Sequence, residues 1–172
     1  MHKIVSLTFT FLIIYFQCRS QNKNEHLQLD WPVAYKWKIV NQQNDSSIQS
    51  VTIIPGFETI KTATIMGNMI ARVGVIFPKG DQMLEHYRNS IDTGSVLTVI
   101  ERNDNAQYPW LIFKVETPVT AKYPEPESDL YYVIQGAYAL YENYVSIKKP
   151  TLSKKFLEKW TEVFKAAKIT IE

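Results

Sequence analysis

The chain has 172 residues, of which 45% are hydrophobic and 13% aromatic, with 19 basic against 17 acidic side chains and one cysteine. So even a balance excludes the basic excess that a nucleic-acid partner requires, and no polybasic stretch is present to hold an anionic membrane. A single cysteine also excludes an intrachain disulfide framework and a thiolate-rich metal site.

Residues 1–3, MHK, carry one lysine and no acid, and residues 4–16, IVSLTFTFLIIYF, follow without a charge before the polar QCRSQNKNE. A basic start, a short apolar run and small side chains at its polar end describe a secretory leader. The run falls short of the roughly 20 apolar residues that span a bilayer; its other reading is a buried N-terminal strand or helix. Signal peptidase favours small residues one and three positions before the cut, which Ser20 and Cys18 supply, making Gln21 the new first residue. Lipidation of Cys18 is the alternative route, although Gln17 before it is not small. Residues 1–20 are therefore expected to be a signal peptide, 21–33 a flexible, solvated lead-in and 34–172 a single α+β domain. Loss of the leader lowers the basic count from 19 to 17, equal to the 17 acids, and removes the only cysteine. The expected location is periplasmic or extracellular, with membrane attachment only if Cys18 is lipidated.

Strand patterns dominate the rest of the chain. YKWKIV (35–40) and SIQSVTII (47–54) flank the polar NQQNDSS and stop at Pro55-Gly56, which predicts a hairpin. Asn44-Asp45-Ser46 within that turn matches the N-glycosylation triplet, a short match that matters only in a eukaryotic secretory pathway. TATIM (62–66) and MIARVGVIF (69–77) lie on either side of Gly67-Asn68, a pair that tolerates positive φ, and predict a second hairpin. DQMLEHYRNSI (81–91) sets Met83, Leu84, Tyr87 and Ile91 on one side of a short helix, with Asp81 as its N-cap. SVLTVIE (95–101) and PWLIFKVE (109–116) predict a third strand pair.

SDLYYVIQGAYALYENYVSI (128–147) contains two β-type runs about Gly136, either a hairpin or one long bent strand with a bulge there. In KKPTLSKKFLEKWTEVFKAAK (148–168), Phe156, Leu157, Trp160, Val163, Phe164 and Ala167 recur at helical spacing, which predicts an amphipathic helix capped by Thr151 or Ser153. The expected fold is α+β: an antiparallel sheet of six to eight strands with a C-terminal amphipathic helix and one shorter helix packed on it.

An early hairpin ending in IIPGFE, a mid-chain helix, the strand pair QGAYALYENYVSI and the helix FLEKWTEVFKAAKI occur in an order that resembles the PsbP-like family of exported proteins. The resemblance covers most of residues 35–169 and rests on element order and apolar pattern. It implies a last helix packed on a central sheet and a role in binding or assembly; it assigns no functional residue.

Signatures of catalysis are missing from the sequence. It contains no G-x-S-x-G elbow and no glycine-rich phosphate loop, so no cofactor is expected. His26 and His86 are isolated, and a zinc site needs three or four convergent ligands. His26, beside Glu25, is expected as a solvated residue of the lead-in; His86 is expected on the solvent face of its helix. Glu125, Glu127 and Asp129 fall in a proline-stiffened loop (117–129) and are expected as solvated charge, with a calcium site as the less favoured reading. That loop is long for a compact domain, and such loops tend to be functional. Around it stand Tyr108, Trp110, Tyr123, Tyr131 and Tyr132, aromatics with polar tips that either fill the core or form a recognition surface. The leading expectation is a non-enzymatic exported protein binding a protein partner or small apolar ligand through this surface. Two alternatives compete: an envelope hydrolase with a dispersed site drawn from His86, Asp81 and the loop acids, and a structural lipoprotein anchored at Cys18.

Overall fold

The computed structural model describes residues 18–20, 23–77, 79–119 and 124–171, with side chains from Glu25 onward. These form ten strands and two α-helices: β1 (Cys18–Ser20), β2 (Lys23–Gln28), β3 (Lys38–Asn44), β4 (Ile48–Ile54), β5 (Met66–Val73), α1 (Gly80–Ser90), β6 (Val96–Asn103), β7 (Trp110–Thr117), β8 (Glu127–Gln135), β9 (Ala139–Ile147), α2 (Lys154–Lys165) and β10 (Lys168–Ile171). β3 to β9 make one antiparallel seven-stranded sheet in the order β3-β4-β5-β9-β8-β7-β6, and β1, β2 and β10 a separate three-stranded sheet. The architecture is α+β.

Alternation along each strand divides the large sheet into two faces. Val51, Ile53, Met69, Ala71, Ile112, Leu130, Tyr132, Ile134, Tyr141 and Val145 point to one face, where they meet Leu27, Leu29, Trp31, Trp37, Trp160 and Phe164. Three of the four tryptophans meet there, with Trp31 5.4 Å from Trp37 and 5.6 Å from Trp160, both edge-on. The opposite face carries a smaller core in which Met83, Leu84 and Tyr87 of α1 rest on Leu111, Phe113, Val115, Val133 and Leu140. Strands β8 and β9 lie between both cores, which explains their nearly continuous apolar run.

Several expectations are corrected. Gly67-Asn68 is not a turn: both lie inside β5, with Gly67 opposite Ile53 on β4 and Val145 on β9. The glycine is needed for packing, since a Cβ there would lie 2.6 Å from the Trp31 ring. The stretch expected as a solvated lead-in contributes β2, and Glu25, His26, Leu27, Leu29 and Trp31 are buried. Asp81 does not cap α1: Lys79 occupies the cap position without a side-chain bond, and Asp81 pairs with Arg102 at 2.6 Å. Gly136 lies in the turn of a β8–β9 hairpin, not in a bulge. Ser153, of the two candidates, caps α2 by accepting the Phe156 N–H at 3.3 Å. The chain continues past α2 into β10, which pairs with β2.

Candidate functional site

α1 covers only part of its face. Beside it a cavity of about 500 Å³ opens over the centre of the sheet. Its floor is built by direct cross-strand neighbours: Phe113 on β7 is opposite Tyr131 on β8, which is opposite Tyr144 on β9. The rings stack in series, 4.8 Å between Phe113 and Tyr131 and 4.7 Å between Tyr131 and Tyr144. Ile70 and Arg72 of β5 form one side, and His86, Tyr87 and Ser90 of α1 the other.

Polar groups occupy this floor at positions where alternation would place core residues. Arg72 forms an ion pair with Glu142 through Nε, with a second contact of 3.4 Å from its terminal nitrogen. Glu142 is buried, and its hydrogen bond to the guanidinium, reinforced by its charge, holds Arg72 further above its ordinary range. Ser146 donates a hydrogen bond to the Asp129 carboxyl. Burial nevertheless pushes Asp129 up to about 7, against the Ser146 bond and with added repulsion from Glu127. Burial likewise raises the hydroxyl pKa values of Tyr87 and Tyr131, and that of Tyr144 to about 12, with Glu142 adding to all three shifts and Asp129 to those of Tyr131 and Tyr144. All three phenols are therefore protonated at neutral pH. The Tyr87 hydroxyl lies beside the Glu142 carboxylate that Arg72 engages, and the charge and hydrogen bonding of that carboxylate add to the burial that raises Tyr87.

The described residues expected to form one aromatic surface divide between the two faces of the sheet, with Trp110 and Tyr132 together, 6.3 Å apart, and Tyr131 on the other side. Adjacent strand positions face opposite ways, so Tyr131 lines the cavity while Tyr132 stacks on Phe164 in the other core, 5.7 Å away. Trp110 and Tyr108 pack against that same core. Tyr123 lies outside the described residues, as do Gln21 and the apolar run of residues 4–16. Cys18 and Ser20 lie in β1. His26 is buried, its Nε2 2.6 Å from the Thr170 hydroxyl of β10, which corrects the expectation of a solvated residue. His86 is exposed yet lines the cavity, its ring 5.2 Å from Phe77 and 5.3 Å from Tyr87.

Glu125, Glu127 and Asp129 also line the cavity, but differ in setting. Glu125 is exposed and pairs with Lys148 at 2.7 Å; Glu127 is exposed; Asp129 is buried, contrary to the expectation of solvated charge. Among the described residues no three His, Cys, Asp or Glu side chains gather as metal ligands, and no helix is long and apolar enough to cross a membrane. Sequence reasoning missed Arg72, Tyr87, Glu142 and Tyr144 as cavity residues. The available signal was the charged pair Arg72 and Glu142 inside strongly apolar strands, where an ionised side chain needs a partner.

No known protein-family model matches the chain, and no curated protein matches it in sequence.

Proposed function

We propose that the protein is an exported binding protein that holds a small molecule in the cavity between α1 and the β5–β9–β8–β7 face. The observation that supports this most directly is the composition of the cavity: a stacked aromatic floor beside a few buried polar groups. Ligand sites commonly combine apolar walls with a few placed polar groups. The volume of about 500 Å³ suits a small organic molecule. The strongest polar groups are already committed to partners, Glu142 to Arg72 and Asp129 to Ser146, as in a site that orients a ligand. The binding or assembly role implied by the PsbP-like resemblance accords with this reading. In it α2 serves as the amphipathic helix that closes the opposite face, and the leader is removed between Ser20 and Gln21. Such a cut would take β1 but leave β2 paired with β10.

The test is a fragment screen followed by backbone amide NMR on the full chain and on Ser90→Trp, which fills the cavity mouth from an exposed position. Binding should shift the amides of Arg72, Asp129, Tyr131 and Tyr144 in the parent chain and not in Ser90→Trp. Shifts that cluster elsewhere, or that survive the substitution, would remove the proposal.

A hydrolase reading keeps one specific observation in its favour: His86, Glu127 and Asp129 line the same cavity, and Asp129 titrates about 7, where a general acid or base is effective. Asp81 is not part of that set, being paired with Arg102. Turnover of an ester or glycoside panel, abolished by His86→Ala, would select this reading over binding alone.

A further inference from the structure

The start of β3, the end of β4 and the start of β5 meet at one rim of the large sheet, and an apolar knob stands there. Phe57 and Ile60, 76% and 59% exposed, lie in the connection from β4 to β5, and Val33, 58% exposed, lies in the short 3-10 turn Val33–Tyr35. The two segments are joined through their backbones: the Gly56 N–H donates to the Tyr35 carbonyl at 3.1 Å, and a Cβ on Gly56 would strike the Lys36 carbonyl. The connection is also tied to itself. Glu58 accepts both the N–H and the hydroxyl of Thr64 at 2.7 Å, and the Thr59 N–H donates to the Thr62 hydroxyl at 2.9 Å. Phe57 and Ile60 are thus held outward by a bonded loop, and a fixed exposed apolar cluster marks an interaction site.

Charge names the partner. Lys36 and Lys61 flank the knob in sequence, Lys38 begins β3 opposite Ile54, and Lys159 of α2 donates to the Tyr35 hydroxyl at 3.0 Å. The ion pairs among the described residues leave Lys36, Lys38 and Lys61 uncommitted. Of the acids close in sequence, Glu58 is turned back onto Thr64, and Asp30 stands exposed before the 3-10 turn. These lysines come from three separate segments, so no basic run announces them. We propose that this rim docks on an anionic lipid bilayer, with Phe57 and Ile60 entering the boundary between headgroups and acyl chains and the lysines lying among the headgroups. A second copy fits poorly, because a two-fold contact would set lysines against lysines. The proposal goes beyond the cavity and does not depend on its holding a ligand.

The experiment places a fluorescent reporter on the knob in the full chain, Phe57→Trp, and a control reporter on the opposite rim, Ile76→Trp, beyond the end of β5; both sites are exposed, and Trp31, Trp37 and Trp160 are buried. Each variant is titrated with vesicles of phosphatidylglycerol and phosphatidylcholine carrying brominated acyl chains, which quench only an inserted indole. Phe57→Trp should be quenched and Ile76→Trp should not. Vesicles of phosphatidylcholine alone should bind at least about tenfold more weakly, and adding Lys36→Gln with Lys61→Gln to the reporter should cost about tenfold on the anionic vesicles. Equal quenching at both positions, or none at Phe57→Trp, would overturn the proposal, and so would equal affinity for the neutral vesicles. Dimerisation of the parent chain that is lost in Phe57→Ser would give the knob to a second copy and overturn the lipid assignment.

Discussion

The carboxylate of Glu25 accepts the backbone N–H of Ala137 at 2.7 Å, joining positions 112 residues apart. It also accepts the Tyr138 N–H at 3.2 Å and the Tyr141 hydroxyl at 3.3 Å, and is fully buried. One side chain of β2 thus satisfies the turn of the β8–β9 hairpin. Gly136 leaves room for this carboxylate, because a Cβ there would stand 2.2 Å from Glu25 Oε1 and displace it from the turn. Hydrogen bonds to a charged acceptor contribute about 1.5–3 kcal/mol each, and orphaned buried donors add their own cost. Glu25→Ala should therefore lower unfolding free energy by about 3 kcal/mol, with Glu25→Gln retaining part of it. Chemical denaturation measures both, and an unchanged midpoint for Glu25→Ala would show that the latch contributes nothing.

Asp129 gives the protein a pH signature of its own. Its carboxyl has an ordinary value of 3.8 and titrates at about 7 in the fold, so between those values the native state holds more protons than the unfolded chain. Stability from this group accordingly falls as pH rises through that window and is level above it. The full swing is on the order of 4 kcal/mol, at 1.36 kcal/mol per unit. Other acids contribute in the opposite direction, so the informative quantity is the difference between the parent chain and Asp129→Asn. The parent's stability relative to Asp129→Asn should fall steadily as the pH is raised from about 4 to 7, and a flat difference would contradict the raised pKa.

How much of this was legible in the sequence depended on whether a feature is local. α1 and α2 could be read because helical spacing is written into neighbouring residues, as in Met83, Leu84 and Tyr87 or Trp160 and Phe164. Gly67-Asn68 misled because a glycine demanded by the distant Trp31 ring looks the same, locally, as one demanded by a turn. QNKNEHLQLD looked solvated because Glu25 and His26 are polar, and their partners Ala137 and Thr170 lie 112 and 144 positions away. The candidate site was the least legible part. Tyr131 and Tyr132 are neighbours in sequence, but strand alternation sends one to the cavity and the other to Phe164, whereas Tyr131 and Tyr144 meet only through β8–β9 register.

Gly67 and Trp31 offer a direct check of the first core. Gly67→Ala would press a methyl group against both the Trp31 ring and the Ile53 side chain. Overpacking of this kind costs about 1–3 kcal/mol. Trp31→Phe, which also gives up the Trp31 N–H contact to Met69 Sδ at 3.1 Å, should be destabilising alone but should relieve part of the Gly67→Ala penalty. Thermal unfolding of the two single variants and the double variant resolves that coupling, and strict additivity would mean that the two positions do not touch.

The Arg72–Glu142 pair makes the final prediction, since the two ends differ in exposure: the Arg72 side chain is 35% exposed and that of Glu142 6%. Removing the arginine strands a buried carboxylate, the costly half of a broken ion pair. Partial water access at Arg72 moderates the loss, so Arg72→Ala should cost about 2–3 kcal/mol, toward the lower end of the range for buried pairs. Replacing both with apolar residues, Arg72→Met with Glu142→Leu, removes the unpaired charge and should restore most of the stability. Chemical denaturation of Arg72→Ala and of the double variant measures both, and a double variant no more stable than Arg72→Ala would contradict the cost assigned to the stranded carboxylate.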